Sequence, residues 1–184
     1  MIISGIPGSG KSTVAKLVSE KTGMPILSVG DLWRAKWEKN PDPKKPPFEA
    51  YWRDTSPEDN LAVTEEACRR VVAQGMIGDF RYSLPIYRER MTNRGYKNTL
   101  LVFITADPLT RVSRAKGTGR YRDKSPEEIR VILEGREMDE VRMGKLIFGS
   151  DYDYRDKGIY DSVFDSGNLC VKRIAKAIVE RMVV

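Results

Sequence analysis

The chain contains no histidine, only two cysteines and no long apolar run among its 184 residues. Without histidine, imidazole acid–base catalysis and histidine-ligated metal centres are excluded. Cys68 and Cys170 lie far apart and lack metal-type spacing, so we expect both to be small buried hydrophobic residues of a reducing cytosol. A membrane span needs about 20 consecutive apolar residues. We therefore expect a cytoplasmic protein without a leader sequence and without a membrane partner.

The net charge of +6 leaves the class of partner open. A basic excess can indicate a nucleic-acid binder, but here the basic residues do not form one tract. Many of them fall between Arg111 and Arg142, and arginine binds the phosphates of small nucleotides equally well. We do not expect nucleic acid to be a partner, although the charge alone does not decide.

Short apolar segments alternate with helical patterns along a length that suits one ordinary domain. This alternation predicts a three-layer α/β/α fold, in which helices cover both faces of a five-stranded parallel sheet. The predicted strands are residues 1–4, 26–29, 76–78, 100–105 and 162–164.

Helix boundaries are also marked in the first part of the chain. A helix over residues 12–21 should end before Gly23, a residue typical of helix C-termini. A second helix should begin after Gly30 with Asp31 as its cap, and it must end before the proline-rich segment 40–47.

Two longer helices have the same start signal, a serine followed by proline and acidic residues. Ser56 should begin a helix to about residue 73, and Ser125 one to about residue 148. The second helix is charged, has few apolar residues and follows the glycines 117 and 119. It is typical of a mobile cover over a site.

Residues 5–13 match the phosphate-binding pattern G-x-x-x-x-G-K-[ST], between a predicted strand and a predicted helix. Glycines let the backbone N–H groups turn inward around phosphates, and the helix N-terminus adds partial positive charge. We expect Lys11 to reach the transferring phosphate and Ser12 to bind Mg²⁺. The predicted ATP-binding residues are Gly5, Ile6, Pro7, Gly8, Ser9, Gly10, Lys11, Ser12 and Thr13.

Two further strand ends have phosphate or metal chemistry, at the edge where doubly wound sheets bind ligands. Arg34 lies one turn into the helix after the second strand, where it can point at a second phosphate. Asp79 ends the third strand and can hold Mg²⁺ through water, while Arg81 can clamp an acceptor phosphate. The predicted acceptor-binding residues are Asp31, Arg34, Asp79, Arg81 and Asp139, with Ser12 and Asp79 at the metal.

Segments spread over nearly the whole chain resemble the nucleoside monophosphate kinases, and most of all the short, archaeal-type cytidylate kinases. The matching segments are residues 4–15, 28–34, 79–81, 136–142, 148–151 and 159–165. The resemblance implies transfer of the γ-phosphoryl group of ATP to a pyrimidine nucleoside monophosphate such as CMP or dCMP, with Mg²⁺ accompanying ATP. It further implies a monomeric P-loop kinase domain over residues 1–184, with an acceptor-binding insert at about 30–66 and a lid at about 115–150.

The family mechanism needs cations around the transferring group. The predicted catalytic residues are Lys11, Arg81, Arg114, Arg136 and Arg142, with Arg120 and Arg122 as further lid arginines. Asp139 could orient its arginine neighbours or read the base. The chain also departs from the family pattern, since Phe80 replaces a glycine, Met143 replaces an arginine and residues 39–54 are unfamiliar.

Two other functions stay open at this point. One is a P-loop kinase of another small acceptor, such as a sugar acid or dephospho-coenzyme A. The other is an adenylate kinase-like, nucleotide-dependent assembly factor for ribosomal or other RNA, which the net charge and the proline-rich segment would suit.

Overall fold

A parallel sheet of five strands forms the centre of the molecule, and its strand order is β2-β3-β1-β4-β5. The structure is a computed structural model that describes residues 1–81 and 99–182. The strands are β1 (Ile2–Gly5), β2 (Ile26–Ser28), β3 (Ile77–Asp79), β4 (Leu101–Thr105) and β5 (Ser162–Asp165). All five predicted strands are confirmed, as is the α/β class.

Helices pack on both faces of this sheet, as the alternating pattern predicts. They are α1 (Lys11–Thr22), α2 (Val29–Glu38), α3 (Phe48–Arg53), α4 (Pro57–Ala73), α5 (Pro108–Gly117), α6 (Pro126–Phe148) and α7 (Val171–Met182), with a 3₁₀ turn at Lys157–Ile159. Within residues 1–81 and 99–182, no helix is long and apolar enough to cross a membrane.

The core has two main layers because neighbouring strand residues point to opposite faces. Ile2 belongs to the layer that includes Ala67 and Val71 of α4. Its neighbour Ile3 belongs to the layer formed with α1 and α7, which includes Val14. Because β3 pairs in parallel with both β1 and β2, the carboxyl ends of these three strands lie side by side at one edge of the sheet.

Helix α2 begins earlier than the sequence predicts, and the predicted cap Asp31 is wrong. Ser28 ends β2 in an extended conformation, and its hydroxyl accepts a hydrogen bond from the backbone N–H of Asp31 at 3.3 Å. Serine is a preferred cap because its side chain satisfies a free N–H of the first turn. Asp31 lies inside that turn instead, where it pairs with Arg34 at 2.5 Å.

The two cysteines have different environments. Cys68 is buried in α4, and burial raises the pKa of its thiol to about 12, which leaves it unreactive. Cys170 is exposed, so the prediction that both are buried is wrong for this residue. The reason is local, since Cys170 lies in the loop between β5 and α7 and has no core face.

Helix α6 depends on its first turn, and this dependence can be tested. Ser125 and Glu128 form a reciprocal capping box, with bonds of 3.2 Å and 2.8 Å. A Ser125→Ala substitution should lower the free energy of unfolding by ~1 kcal/mol, as measured by chemical denaturation, because a first-turn N–H loses its partner. Ser113→Ala, at an exposed position inside α5, is the matched control and should cost almost nothing. Equal losses in the two variants would contradict the role of the cap.

Candidate functional site

The phosphate loop joins β1 to α1 and turns sharply at glycines. A Cβ atom at Gly5 would overlap the carbonyl oxygen of Ile104 on the neighbouring strand, so only glycine fits there. Gly10 is left-handed, with φ of +84°, and immediately precedes α1. The free N–H groups of the first helical turn therefore lie at the loop, where they form an anion site.

Two arginines of α5 donate hydrogen bonds to backbone carbonyl groups of this loop. The Arg111 side chain is buried and donates from Nε to the carbonyl oxygen of Pro7 at 2.7 Å. Arg114 donates to the carbonyl oxygen of Ser9 at 3.0 Å, and the hydroxyl of Ser166 donates to the same oxygen at 2.7 Å. Carbonyl groups fixed in this way cannot turn into the phosphate cradle.

Arg111 also connects the loop to α6. Its Nη2 atom lies 2.9 Å from a carboxylate oxygen of Glu137, which in turn pairs with Arg155 at 3.0 Å. Sequence reasoning missed Arg111, Glu137 and Ser166. The spacing of three residues between Arg111 and Arg114 puts both on one face of a helix and is the signal that could have found the pair.

Lys11, Ser12 and Asp79 meet where β1 and β3 end. The Lys11 ammonium group forms an ion pair with one carboxylate oxygen of Asp79. The Ser12 hydroxyl donates to the other oxygen at 2.7 Å. Burial, and then the charge of Arg81, lowers the pKa of Lys11 to about 7. The predicted neighbourhood of these three residues is thus present in the structure.

Hydrogen bonds to both its side chain and its backbone hold Arg81 in place. Its guanidinium group donates to Glu140, a carboxylate of α6 that has no solvent exposure. The Tyr154 hydroxyl donates to the other oxygen of Glu140 at 3.0 Å. Tyr160 donates to the carbonyl oxygen of Tyr154 at 2.5 Å and contacts the Ser4 hydroxyl at 3.3 Å. The Ser4 hydroxyl donates to the carbonyl oxygen of Arg81 at 2.7 Å.

Sequence reasoning missed Glu140 and Tyr154. Many residues of α6 are charged, and the composition of the helix gives no sign of which carboxylate is buried. Burial raises the pKa of the Tyr154 hydroxyl, so this group stays protonated and remains a donor to Glu140.

A cavity of about 600 Å³ opens above these residues, and its walls come from two chemical classes. The polar and charged members include Ser12, Arg34, Asp79, Arg81, Arg120, Arg136 and Asp139. The apolar members include Val29, Trp33, Phe48, Trp52, Phe80, Tyr121 and Ile132. Such a cavity can hold a molecule that combines anionic groups with a flat apolar ring.

The remaining predicted residues are distributed around this cavity. Arg34 lies over the ring of Phe48 at 5.7 Å. Arg136 donates to the Tyr121 hydroxyl at 3.2 Å, and burial lowers the pKa of its guanidinium group. Asp139 pairs with Arg53 at 3.1 Å.

Not every predicted residue reaches the cavity. In the described part of the chain, Lys11, Asp31, Arg114, Arg122 and Arg142 are outside the cavity lining, and Ser12 is the only one of the predicted ATP-binding residues 5–13 that belongs to it. Arg142 is exposed on α6 and donates to the carbonyl oxygen of Arg53 at 3.4 Å. The structure thus brings Arg34, Arg81 and Arg136 to one space and leaves these other side chains beside it.

Comparison with known proteins gives consistent matches. A protein-family model described as "AAA domain" matches residues 4–130. The chain is 30% identical over 169 residues to a cytidylate kinase of Methanococcus maripaludis (strain C7), which covers 89% of this chain and 86% of that protein. It is 30% identical over 188 residues to a cytidylate kinase of Archaeoglobus fulgidus, with 97% and 91% covered.

Among solved structures, shikimate kinase from Bacteroides thetaiotaomicron superposes with a TM-score of 0.65 at 13% identity, covering 100% of this chain and 97% of that one. At this identity the superposition shows the fold alone. The archaeal relatives match nearly the whole chain, and the family model matches well over half of it. The chain therefore belongs to the P-loop nucleoside monophosphate kinase family and is similar to archaeal cytidylate kinases.

Proposed function

We propose that the protein transfers the γ-phosphoryl group of ATP to a pyrimidine nucleoside monophosphate, with CMP and dCMP as the first candidates. The observation that carries this proposal is one cavity lined by Ser12 and Asp79, beside the phosphate loop, and also by Arg34 and Arg81. Donor and acceptor phosphates could meet there. The relatives called cytidylate kinase support the choice of acceptor.

The donor phosphates would lie in the loop over residues 5–13, next to Lys11. The backbone N–H groups and the Lys11 ammonium group would neutralise charge on the transferring group. Arg136 is the lid arginine best placed to join them, because it is half-buried and lines the cavity. Such transfer needs positioning and charge stabilisation more than covalent chemistry.

The residues at the loop fit a magnesium ion. Ser12 offers a hydroxyl oxygen and Asp79 a carboxylate oxygen, 2.7 Å from each other, and Mg²⁺ is usually bound through one or two carboxylates plus substrate phosphates. Within the described residues, no group of three or more acidic or thiol side chains could hold a metal alone. When bound with ATP, the ion would supply charge neutralisation on the phosphates.

We further propose that residues of about 30–66 bind the acceptor and that residues of about 115–150 form a lid. Helices α2 and α3 supply aromatic side chains to the cavity lining and α4 supplies Thr64, while α6 supplies Arg136 and Asp139. Closure of this lid would exclude water, which otherwise competes with the acceptor for the phosphoryl group.

The reaction can be tested with a panel of acceptors. With ATP and Mg²⁺, we expect CMP and dCMP to give diphosphates faster than AMP, GMP or UMP, as measured by ADP release and chromatography of the products. Shikimate in the same panel tests the small-acceptor alternative. Absence of any nucleoside diphosphate would contradict the proposal. RNA affinity with a steep salt dependence, without turnover, would favour the assembly-factor alternative.

A Lys11→Ala substitution should lower kcat by roughly 10³-fold, because a donor aimed at developing charge is lost. Lys16→Ala, at an exposed lysine of the same helix, is the matched control and should keep full activity. Circular dichroism of both variants checks that α1 stays folded. Full turnover by the Lys11 variant would contradict the mechanism.

The sequence predicts a catalytic role for both Arg81 and Arg142, but only Arg81 lines the cavity in the structure. Arg81→Lys should raise KM for CMP about tenfold or more and leave KM for ATP almost unchanged, because lysine cannot reproduce a fork of charged hydrogen bonds. Arg142→Lys should change neither constant, since Arg142 is exposed outside the cavity lining. Steady-state kinetics on both substrates measures the difference. Equal effects in the two variants would show that the cavity is not the acceptor site.

A further inference from the structure

Phe80 occupies the position between Asp79 and Arg81 where the cytidylate kinase pattern has glycine. Its side chain is 1% exposed and forms part of the cavity wall. The ring lies over Gly78 of β3: a Cβ atom added at Gly78 would be only 3.0 Å from two carbon atoms of the Phe80 ring. Gly78 thus gives the ring its room, and the ring occupies space that a glycine at position 80 would leave open.

The walls near Phe80 suit one edge of a flat polar ring. Trp33 and Trp52, from α2 and α3, line the same cavity, together with Thr64 of α4. Thr64 is 1% exposed, and its hydroxyl has no hydrogen-bond partner among the described residues. A buried hydroxyl without a partner is costly, so a ligand that supplies one would gain affinity.

Thr64 is part of the cavity wall, but its hydroxyl is covered in this conformation. Threonine in a helix populates two χ1 rotamers, and rotation between them exchanges the methyl group and the hydroxyl. A bound base could therefore meet the hydroxyl without any movement of α4.

We propose that Phe80 restricts the acceptor base to a single ring and that Thr64 contacts the polar edge of that base. This inference rests on the proposed function and deepens it, since it assigns pyrimidine selection to two residues of this chain. A purine exceeds a pyrimidine by a fused five-membered ring, which is smaller than the phenyl group of Phe80. A threonine hydroxyl both donates and accepts, so it suits the ring edges of cytosine and uracil alike.

The size restriction is tested by the ratio of kcat/KM for AMP to that for CMP. In Phe80→Ala this ratio should rise about tenfold or more, and in Phe80→Leu by a smaller factor, because pocket space decides between substrates that differ by a few atoms. Phe103→Leu is the matched control, since Phe103 is 2% exposed in the same core layer but is not part of the cavity wall. Its ratio should equal that of the wild type.

The contact with Thr64 is tested by Thr64→Val, which keeps the shape and removes the hydroxyl. KM for CMP should rise several-fold and KM for ATP should stay at the wild-type level, while the stability towards denaturant should equal or exceed that of the wild type, because a buried hydroxyl without a partner is removed. A purely structural role of Thr64 would not separate the two KM values in this way.

The outcomes distinguish this inference from the proposed function. If the wild type phosphorylates CMP but the Phe80 and Thr64 variants change CMP and AMP equally, the inference is wrong and the proposed function stands. If the wild type phosphorylates no nucleotide, the proposed function is wrong. In that case the fluorescence of Trp33 and Trp52 during titration with CMP or AMP gives the affinity for each nucleotide. Equal affinities for CMP and AMP, or binding of neither nucleotide, would overturn the inference.

Discussion

The buried ion pair between Arg81 and Glu140 is the constraint on which the site depends most. A carboxylate without solvent exposure is stable only if it is paired and fully hydrogen-bonded, and Glu140 has both Arg81 and Tyr154 as partners. Arg81 follows β3 and Glu140 lies on α6, so one contact fixes both an arginine of the cavity and the helix proposed as the lid. Removal of the Arg81 charge would leave the Glu140 carboxylate buried without its cation, so Arg81 cannot lose its charge at low cost.

The same pair sets the charge balance of the site. Burial and then the charge of Arg81 lower the pKa of both Lys11 and Arg136, and the charge of Glu140 acts in the opposite direction on both groups. Asp79 is the other carboxylate in contact with this cluster. Since cations held together in a partly buried space repel one another, anionic ligands would be attracted strongly. A nucleoside triphosphate and a nucleoside monophosphate would provide the missing negative charge, which is the electrostatic basis for the phosphoryl transfer proposed here.

The sequence predicts what depends on local pattern and misses what depends on packing. Strands, helix starts at Ser56 and Ser125, and the neighbourhood of Lys11, Ser12 and Asp79 follow from periodicity, caps and a motif. Glu140 could not be predicted, because helix composition does not say which charged side chain faces the core. Arg114 shows the same limit, since an arginine near a phosphate loop can face phosphates or carbonyls, and only the tertiary structure shows that it binds the carbonyl of Ser9.

The two halves of the site are built in different ways, and this difference has a functional consequence. The proposed donor half consists of backbone: a loop fixed by glycines, by the start of α1 and by arginines on its outward carbonyl groups. The proposed acceptor half consists of side chains from α2, α3, α4 and α6 around one cavity. A backbone cradle tolerates few substitutions, whereas side chains such as Phe80 and Thr64 can be replaced singly without disturbing it. We therefore expect acceptor choice to vary among relatives of this chain while the mode of ATP binding stays constant, because only the second depends on backbone geometry.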